Sequence, residues 1–163
     1  MEIEVKIRAL MMDPNSGTPI IILKDVQSET MLPIWVGAYE ANAIALEIEK
    51  IAPPRPMNHD LLRNMIVEMG IQVERVVVTS LRDNTFFAVI EMQTSEGTRM
   101  VLDSRPSDAI ALALRADCPI YVDAEVIKAS SKNTAAVDED ISDEPISEEE
   151  WPDVIGEAGD LPM

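Results

Sequence analysis

The sequence predicts an α+β fold, with a mainly antiparallel mixed sheet of about six strands and helices on one face. Several short segments alternate apolar with polar residues, which is typical of strands buried on one side. Between them lie segments whose apolar residues recur with the helical period of 3.6. This order of elements occurs twice, which predicts an internal duplication of a β-β-β-α-α unit.

The first unit opens with three predicted strands and a helix. The strands cover residues 3–11, 19–24 and 31–36, and a cluster of turn-forming residues at 13–17 separates the first two. The period changes at Gly37, which predicts a helix that runs to about residue 51. One face of this helix carries four apolar residues: Ala41, Ile44, Ala45 and Ile48.

A second helix is predicted after the proline-rich segment 53–56, which must end the first one. Asn58 is the predicted N-cap of this helix, and Gly70 is placed for its C-terminal stop. The predicted buried face consists of five apolar residues: Leu61, Leu62, Met65, Ile66 and Met69.

The second unit repeats the pattern with strands at 71–80, 85–93 and 98–103 and a helix at 106–115. A short strand at 119–122 and a helical turn at 123–128 follow. The tetrapeptide Ala-Ile-Ala-Leu at 43–46 recurs at 109–112. The duplication therefore makes segments 37–42 and 103–108 equivalent strand-to-helix corners.

The charge distribution divides the chain into a domain, residues 1–129, and an acidic tail, residues 130–163. Residues 1–130 carry 12 Lys or Arg against 19 Asp or Glu, whereas residues 131–163 carry 1 against 11. Such a tail is typical of a flexible solvated segment, although Trp151 and its apolar neighbours could instead form a short peptide that docks on a protein partner. Because the domain is itself acidic, nucleic-acid binding would need local arginines or bound cations.

Composition and the N-terminal pattern indicate a cytoplasmic protein. The single cysteine, Cys118, cannot form an internal disulfide and is expected to be a buried, inert thiol. The first residues alternate charged and apolar side chains, unlike a signal peptide, and no segment is apolar enough to span a membrane.

Three separated segments carry a resemblance to a known family. These are residues 34–45, residues 53–62, and residues 103–115, which begin Asp103-Ser104-Arg105-Pro106-Ser107-Asp108. Together they resemble the signature blocks of the bifunctional nuclease domain family. The resemblance implies a nuclease acting on DNA and RNA, with an oligomeric α+β fold.

Phosphodiester hydrolysis needs an activated water and neutralised phosphate charge. The candidate catalytic residues are His59, Asp60, Asp103 and Asp108. Candidate ligands for a divalent cation, Mg²⁺ or Mn²⁺, are Glu40, Asp60, Asp103 and Asp108. The alternative is structural, because acids in the first turn of a helix complement its dipole and the only histidine could serve a structural hydrogen bond.

Candidate substrate-binding residues are Arg55, Arg105 and Ser107. Each arginine precedes a proline at a predicted helix entrance, where free N–H groups favour anions. A guanidinium there could hold a phosphate by two parallel bonds. Alternatively, Arg105 could pair with Asp103, and Ser107 could cap the helix.

Two functions follow from these patterns. The first is a nuclease of low sequence selectivity with DNA or RNA as substrate. The second is a non-enzymatic binding or regulatory module that uses the same anion pocket and recruits a protein partner through the acidic tail. Under either, the open edges of a small sheet predict a homo-oligomer, with a symmetric dimer as the default.

Overall fold

The computed structural model describes residues 1–134, which form one seven-stranded sheet and four helices. The predicted acidic tail lies outside the described residues except for 130–134, which belong to the last helix. Within residues 1–134, no helix is both long and apolar enough to cross a membrane. In chain order the elements are β1 (Glu2–Met12), β2 (Pro19–Asp25), β3 (Met31–Trp35), α1 (Ala38–Ile48), α2 (Asn58–Glu68), β4 (Ile71–Arg82), β5 (Thr85–Thr94), β6 (Arg99–Ser104), α3 (Pro106–Ala116), β7 (Ile120–Asp123) and α4 (Ala124–Thr134).

The strand order is β3-β2-β1-β7-β4-β5-β6. Neighbouring strands are antiparallel except β4 and β7, which pair in parallel. Two antiparallel three-stranded units therefore flank the short strand β7, each followed in the chain by helices. This arrangement confirms the α+β prediction, with seven strands instead of about six.

The core lies between one face of the sheet and the helices. Val76 and Val78 of β4 and Val122 of β7 point into it, because alternate residues of a strand share a face. Small residues on α1 and α3, such as Ala43 and Ala111, let the two helices approach each other closely. The core is mainly aliphatic, and burial of each large side chain contributes about 1.5–3 kcal/mol.

Helix α2 departs from the prediction, because none of its residues is buried. Its predicted core face is wrong: Leu61, Leu62, Met65 and Met69 are between 48% and 62% exposed, and only Ile66 packs against the core. The helix also begins one residue earlier than expected, with Met57 instead of Asn58 as N-cap. Periodicity identifies which residues share a helix face, but it does not say what covers that face.

The sheet face opposite the helices carries a row of polar side chains centred on Arg75. This guanidinium contacts Glu2 of β1 and Glu91 of β5, and lies 5.1 Å from the centre of the Tyr121 ring on β7. Glu91 also binds Arg99 of β6 at 2.8 Å. The hydrogen bond from Arg75, aided by Arg99, outweighs burial and lowers the pKa of Glu91. The row thus links five adjacent strands.

Candidate functional site

The N-terminal ends of α1, α2 and α3 meet on the helical side of the sheet. Each helix has an acidic residue at its third position: Glu40, Asp60 and Asp108, respectively. An acid there is favoured by the positive end of the helix dipole, as the sequence predicts. Contacts among the side chains around these acids join the three helix ends into one cluster.

Arg105 connects the ends of α1 and α3. It is the N-cap residue of α3, and its guanidinium donates to Asp108 Oδ2 and to Glu40 Oε1, each at 2.8 Å. The hydrogen bond that Asp108 accepts, and to a smaller extent the charge of Glu40, raise the pKa of Arg105. The alternative pairing of Arg105 with Asp103 is wrong. The side chain of Arg105 remains 68% exposed, so it can contact a ligand without leaving the cluster.

Gly37 allows the Glu40 carboxylate to fold back toward the start of α1. A Cβ atom at position 37 would lie 2.2 Å from Glu40 Oε2, closer than non-bonded atoms approach. Any other residue at this corner would therefore displace the carboxylate that Arg105 binds. The glycine is needed for close approach, since its backbone angles are ordinary.

His59, at the second position of α2, contacts Asp108. The distance from His59 Nε2 to Asp108 Oδ1 is 2.9 Å, and the histidine side chain is 12% exposed. In the described chain, the only buried side-chain nitrogen or oxygen without a partner belongs to Arg63. No group in residues 1–134 forms a hydrogen bond with Nδ1 of His59. Because Nδ1 is not among the buried atoms without a partner, it is accessible to solvent. This leaves one ring nitrogen held by a carboxylate and the other open.

Asp60 has a different environment from Asp108. Its carboxylate accepts hydrogen bonds from Arg115 Nε at 2.7 Å and from the Met57 N–H at 3.0 Å. Burial acts to raise the pKa of Asp60, but the Met57 N–H and the Arg115 guanidinium outweigh it, and the pKa falls below its usual value. Both carboxylate oxygens are engaged, which gives Asp60 a structural part in the cluster.

Arg115 is the residue of this cluster that the sequence did not indicate. Its side chain is 4% exposed, and it also donates to the carbonyl oxygens of Ala111 and Ala43, at 2.9 and 3.0 Å. One guanidinium thereby ties α1, α2 and α3 together. A basic residue in the last turn of a helix is common, because it complements the dipole, so its position alone did not single it out.

The remaining predicted site residues are not held in the cluster. Asp103 pairs in β6 with Val89, whose neighbours Ala88 and Ile90 face the core, so Asp103 projects from the opposite face of the sheet. Ser107 is 7% exposed and is the second residue of α3, not its cap. Arg55 is exposed in the loop before α2, and its side chain forms no hydrogen bond or ion pair with the rest of residues 1–134.

The four carboxylates predicted to bind a cation do not form a ligand set. The Arg105 guanidinium already lies between Glu40 and Asp108, where a shared cation would sit, and Asp60 is bound to Arg115. Among the described residues, no three His, Cys, Asp or Glu side chains lie close enough to hold a metal. Residues 1–134 thus offer no cage of three protein ligands, and binding of Mg²⁺ or Mn²⁺ by one or two carboxylates together with a substrate phosphate stays a prediction.

Comparison with known proteins identifies relatives along most of the chain. A family model described as the bifunctional nuclease domain matches residues 21–135. An uncharacterised protein of Mycobacterium tuberculosis is 36% identical over 124 residues, which cover 76% of this chain and 73% of the relative. Bifunctional nuclease 1 of Oryza sativa subsp. indica is 27% identical over 73% of this chain and 37% of its own length. Bifunctional nuclease 2 of Oryza sativa subsp. japonica is 31% identical over 66% of this chain and 34% of its own length. The chain thus spans little more than a third of these plant proteins.

Proposed function

Since this chain belongs to the bifunctional nuclease domain family, we propose that it hydrolyses phosphodiester bonds in DNA or RNA with low sequence selectivity. The observation that carries the proposal is the His59–Asp108 pair, at 2.9 Å, where three helix N-termini converge. A histidine held by a carboxylate with its second nitrogen open is a common arrangement for general acid–base chemistry.

In this proposal, His59 acts as the general base. The Asp108 carboxylate accepts the Nε2–H and so favours the tautomer whose lone pair is on Nδ1. Nδ1 then takes a proton from the water that attacks phosphorus. The P–O bond to the leaving sugar oxygen breaks, and that oxygen takes a proton from solvent. Asp108 positions the ring and stabilises the imidazolium that forms, and Arg105 holds Asp108 in place from its other oxygen.

Arg105 and Arg55 bind the phosphate. Both are exposed and belong to segments that lead into the helices of the cluster. Each guanidinium offers paired donors that match phosphate oxygens, and the free N–H groups of the helix ends add positive potential. Glu40 limits this potential through its ion pair with Arg105, and the domain is acidic overall. Substrate binding should therefore be weak and local, in keeping with low selectivity.

The activity is tested with purified protein and single- and double-stranded DNA and RNA. We expect cleavage of internal phosphodiester bonds at a rate that rises with protein concentration. On size-exclusion chromatography, this activity should elute in the same fractions as the folded protein. Parallel reactions with chelator, Mg²⁺ and Mn²⁺ determine whether a cation also takes part. If no substrate is cleaved under any of these conditions, the hydrolase proposal fails and the binding-module alternative is favoured.

We also propose that the protein is a homodimer that buries the outer face of α2. Leu61, Leu62, Met65 and Met69 form an apolar stripe that no part of residues 1–134 covers. Monomers rarely expose stripes of this kind, and symmetric pairing of two copies is the commonest way to bury one. An antiparallel helix pair crossing near Met65 would bury the stripe against itself.

Placing charges in the stripe should separate the subunits. With Leu62→Glu and Met65→Glu combined, we expect light scattering coupled to size-exclusion chromatography to give the mass of a monomer, because burial of two carboxylates is unfavourable. Val26→Glu changes a comparably exposed residue in a turn and should keep the dimer mass. A monomeric wild-type protein, or a double variant with unchanged mass, would contradict the dimer.

A further inference from the structure

We propose that a cleft between α2 and β4 binds a small organic monocarboxylate with an aliphatic body. The cleft has a volume of about 690 Å³, within the usual range for small-molecule sites. It involves the C-terminal half of α2, the start of β4 and the loop from α3 to β7. The cleft shares Arg115 with the cluster described above but no other residue, so it is a second site.

Arg63 is the residue that indicates an anionic ligand. The side chain of Arg63 lines this cleft, and its Nε is the one buried side-chain nitrogen or oxygen without a hydrogen-bond partner in residues 1–134. The charge of Arg63 helps to lower the pKa of Asp60, but the two side chains form no ion pair within 4.0 Å. Arg63 is a half-buried cation with no ion pair among residues 1–134, and proteins normally satisfy such a donor with water or a ligand.

The second arginine of the cleft cannot serve this role. All three guanidinium nitrogens of Arg115 donate within the protein, to Asp60, Ala111 and Ala43. Arg63 is therefore the cation that a ligand would meet. Replacing it should not destabilise the fold, since it makes no hydrogen bond or ion pair in the described structure.

The rest of the lining determines the class of ligand. Ile66 and Val67 on α2 face Ile71 and Val73 at the start of β4, which provides apolar walls for an aliphatic body. Val67 follows Arg63 by four residues, so both lie on the face of α2 away from the apolar stripe.

Two exposed acids at the cleft discriminate against multiply charged ligands. Glu74 and Asp117 both line it, and their repulsion grows with ligand charge. A phosphate dianion or a polynucleotide is therefore disfavoured relative to a single carboxylate. The walls and the charges together favour a branched or straight-chain aliphatic acid.

The test uses 4-methylpentanoate as probe, titrated into the full-length protein and followed by NMR of the methyl groups of Ile66, Val67 and Ile71. The neutral analogue 4-methylpentanamide has the same shape and no charge, and inorganic phosphate has charge and no aliphatic body. We expect saturable shifts with the carboxylate, binding at least about tenfold weaker with the amide, and none with phosphate. Absence of shifts with the carboxylate, or equal binding of the amide or phosphate, would overturn the proposal.

Variants assign the binding to Arg63. Arg63→Met should weaken binding at least about tenfold and leave the unfolding temperature unchanged or higher. Arg63→Lys keeps the charge but removes the paired donors of the guanidinium, and should weaken binding to a smaller extent. Arg8→Met, which removes an exposed arginine outside the cleft, should bind like wild type. Wild-type binding by both Arg63 variants would refute the assignment.

Discussion

Replacing His59 with Gln should lower the rate of phosphodiester cleavage by about 10²- to 10⁴-fold, the usual contribution of a positioned acid–base group. The glutamine side chain can still reach toward Asp108, but it has no lone pair basic enough to accept a proton from water. Asp108→Asn should reduce cleavage in the same direction, because the amide no longer holds the histidine in the required tautomer. The measurement is kcat/KM on a labelled single-stranded oligonucleotide.

Asp103→Asn is the matched control for this experiment. It changes the same type of side chain, five residues before Asp108, but on the opposite face of the sheet. We expect wild-type kcat/KM for this variant. Circular dichroism and the unfolding midpoint should show that all three variants are folded. Full activity in His59→Gln, or a loss in Asp103→Asn equal to that in Asp108→Asn, would place the chemistry elsewhere.

Replacing Arg115 with Ala should destabilise the protein by about 3–5 kcal/mol, as expected when one partner of a buried ion pair is removed. The change leaves Asp60 without its cation and deprives two carbonyl oxygens, of Ala43 and Ala111, of their donor. Urea unfolding gives the free energy of unfolding. Arg55→Ala removes an exposed arginine that forms no side-chain hydrogen bond or ion pair in the described structure, and should change the free energy of unfolding by less than about 0.5 kcal/mol.

The same ion pair makes stability depend on pH. Because the folded pKa of Asp60 lies below its value in the unfolded chain, about 3.9, its stabilisation is complete above that pH. The stabilisation is lost as pH falls through the lowered pKa. In Arg115→Ala, the part of the free energy of unfolding that is lost on protonation of Asp60 should be smaller than in the wild type. Adding Asp60→Asn should recover part of the lost stability, because no unpaired charge then remains. If the stability losses of Arg115→Ala and Asp60→Asn simply add in the double variant, the two residues act independently.

Much of the fold could be predicted because its signals are local. Strand alternation and helical period identified every strand and the first three helices to within a few residues. Helix α4 was predicted only as a turn at 123–128, whereas it extends to Thr134. Its later residues are mostly small or polar, so they give no apolar period to follow. The prediction of a buried face on α2 was wrong for a related reason. An apolar stripe has the same helical period whether the domain core or another surface covers it.

The cluster could be predicted only in part, because its contacts join distant segments. His59 and Asp108 are 49 residues apart, and Arg105 and Glu40 are 65 apart. The acids at helix entrances were visible in the sequence, but which of them share an arginine was not. The prediction treated Asp103 and Asp108 alike, although β6 ends at Ser104, between them. Asp103 projects from the face of the sheet opposite the helices, whereas Asp108 belongs to α3 on the helical side.

The position of β7 has a consequence for the order of folding. Each three-stranded unit consists of consecutive antiparallel strands, which are local in the chain and can form early. The units do not pair with each other directly, since β7 lies between β1 and β4. This strand has four residues, comes from near the end of the domain, and must pair with Glu2–Val5 at its beginning. Joining the two halves therefore requires the longest loop closure in the sheet. We expect it to be the slow step of folding, and β7 to be where the two halves first separate under force.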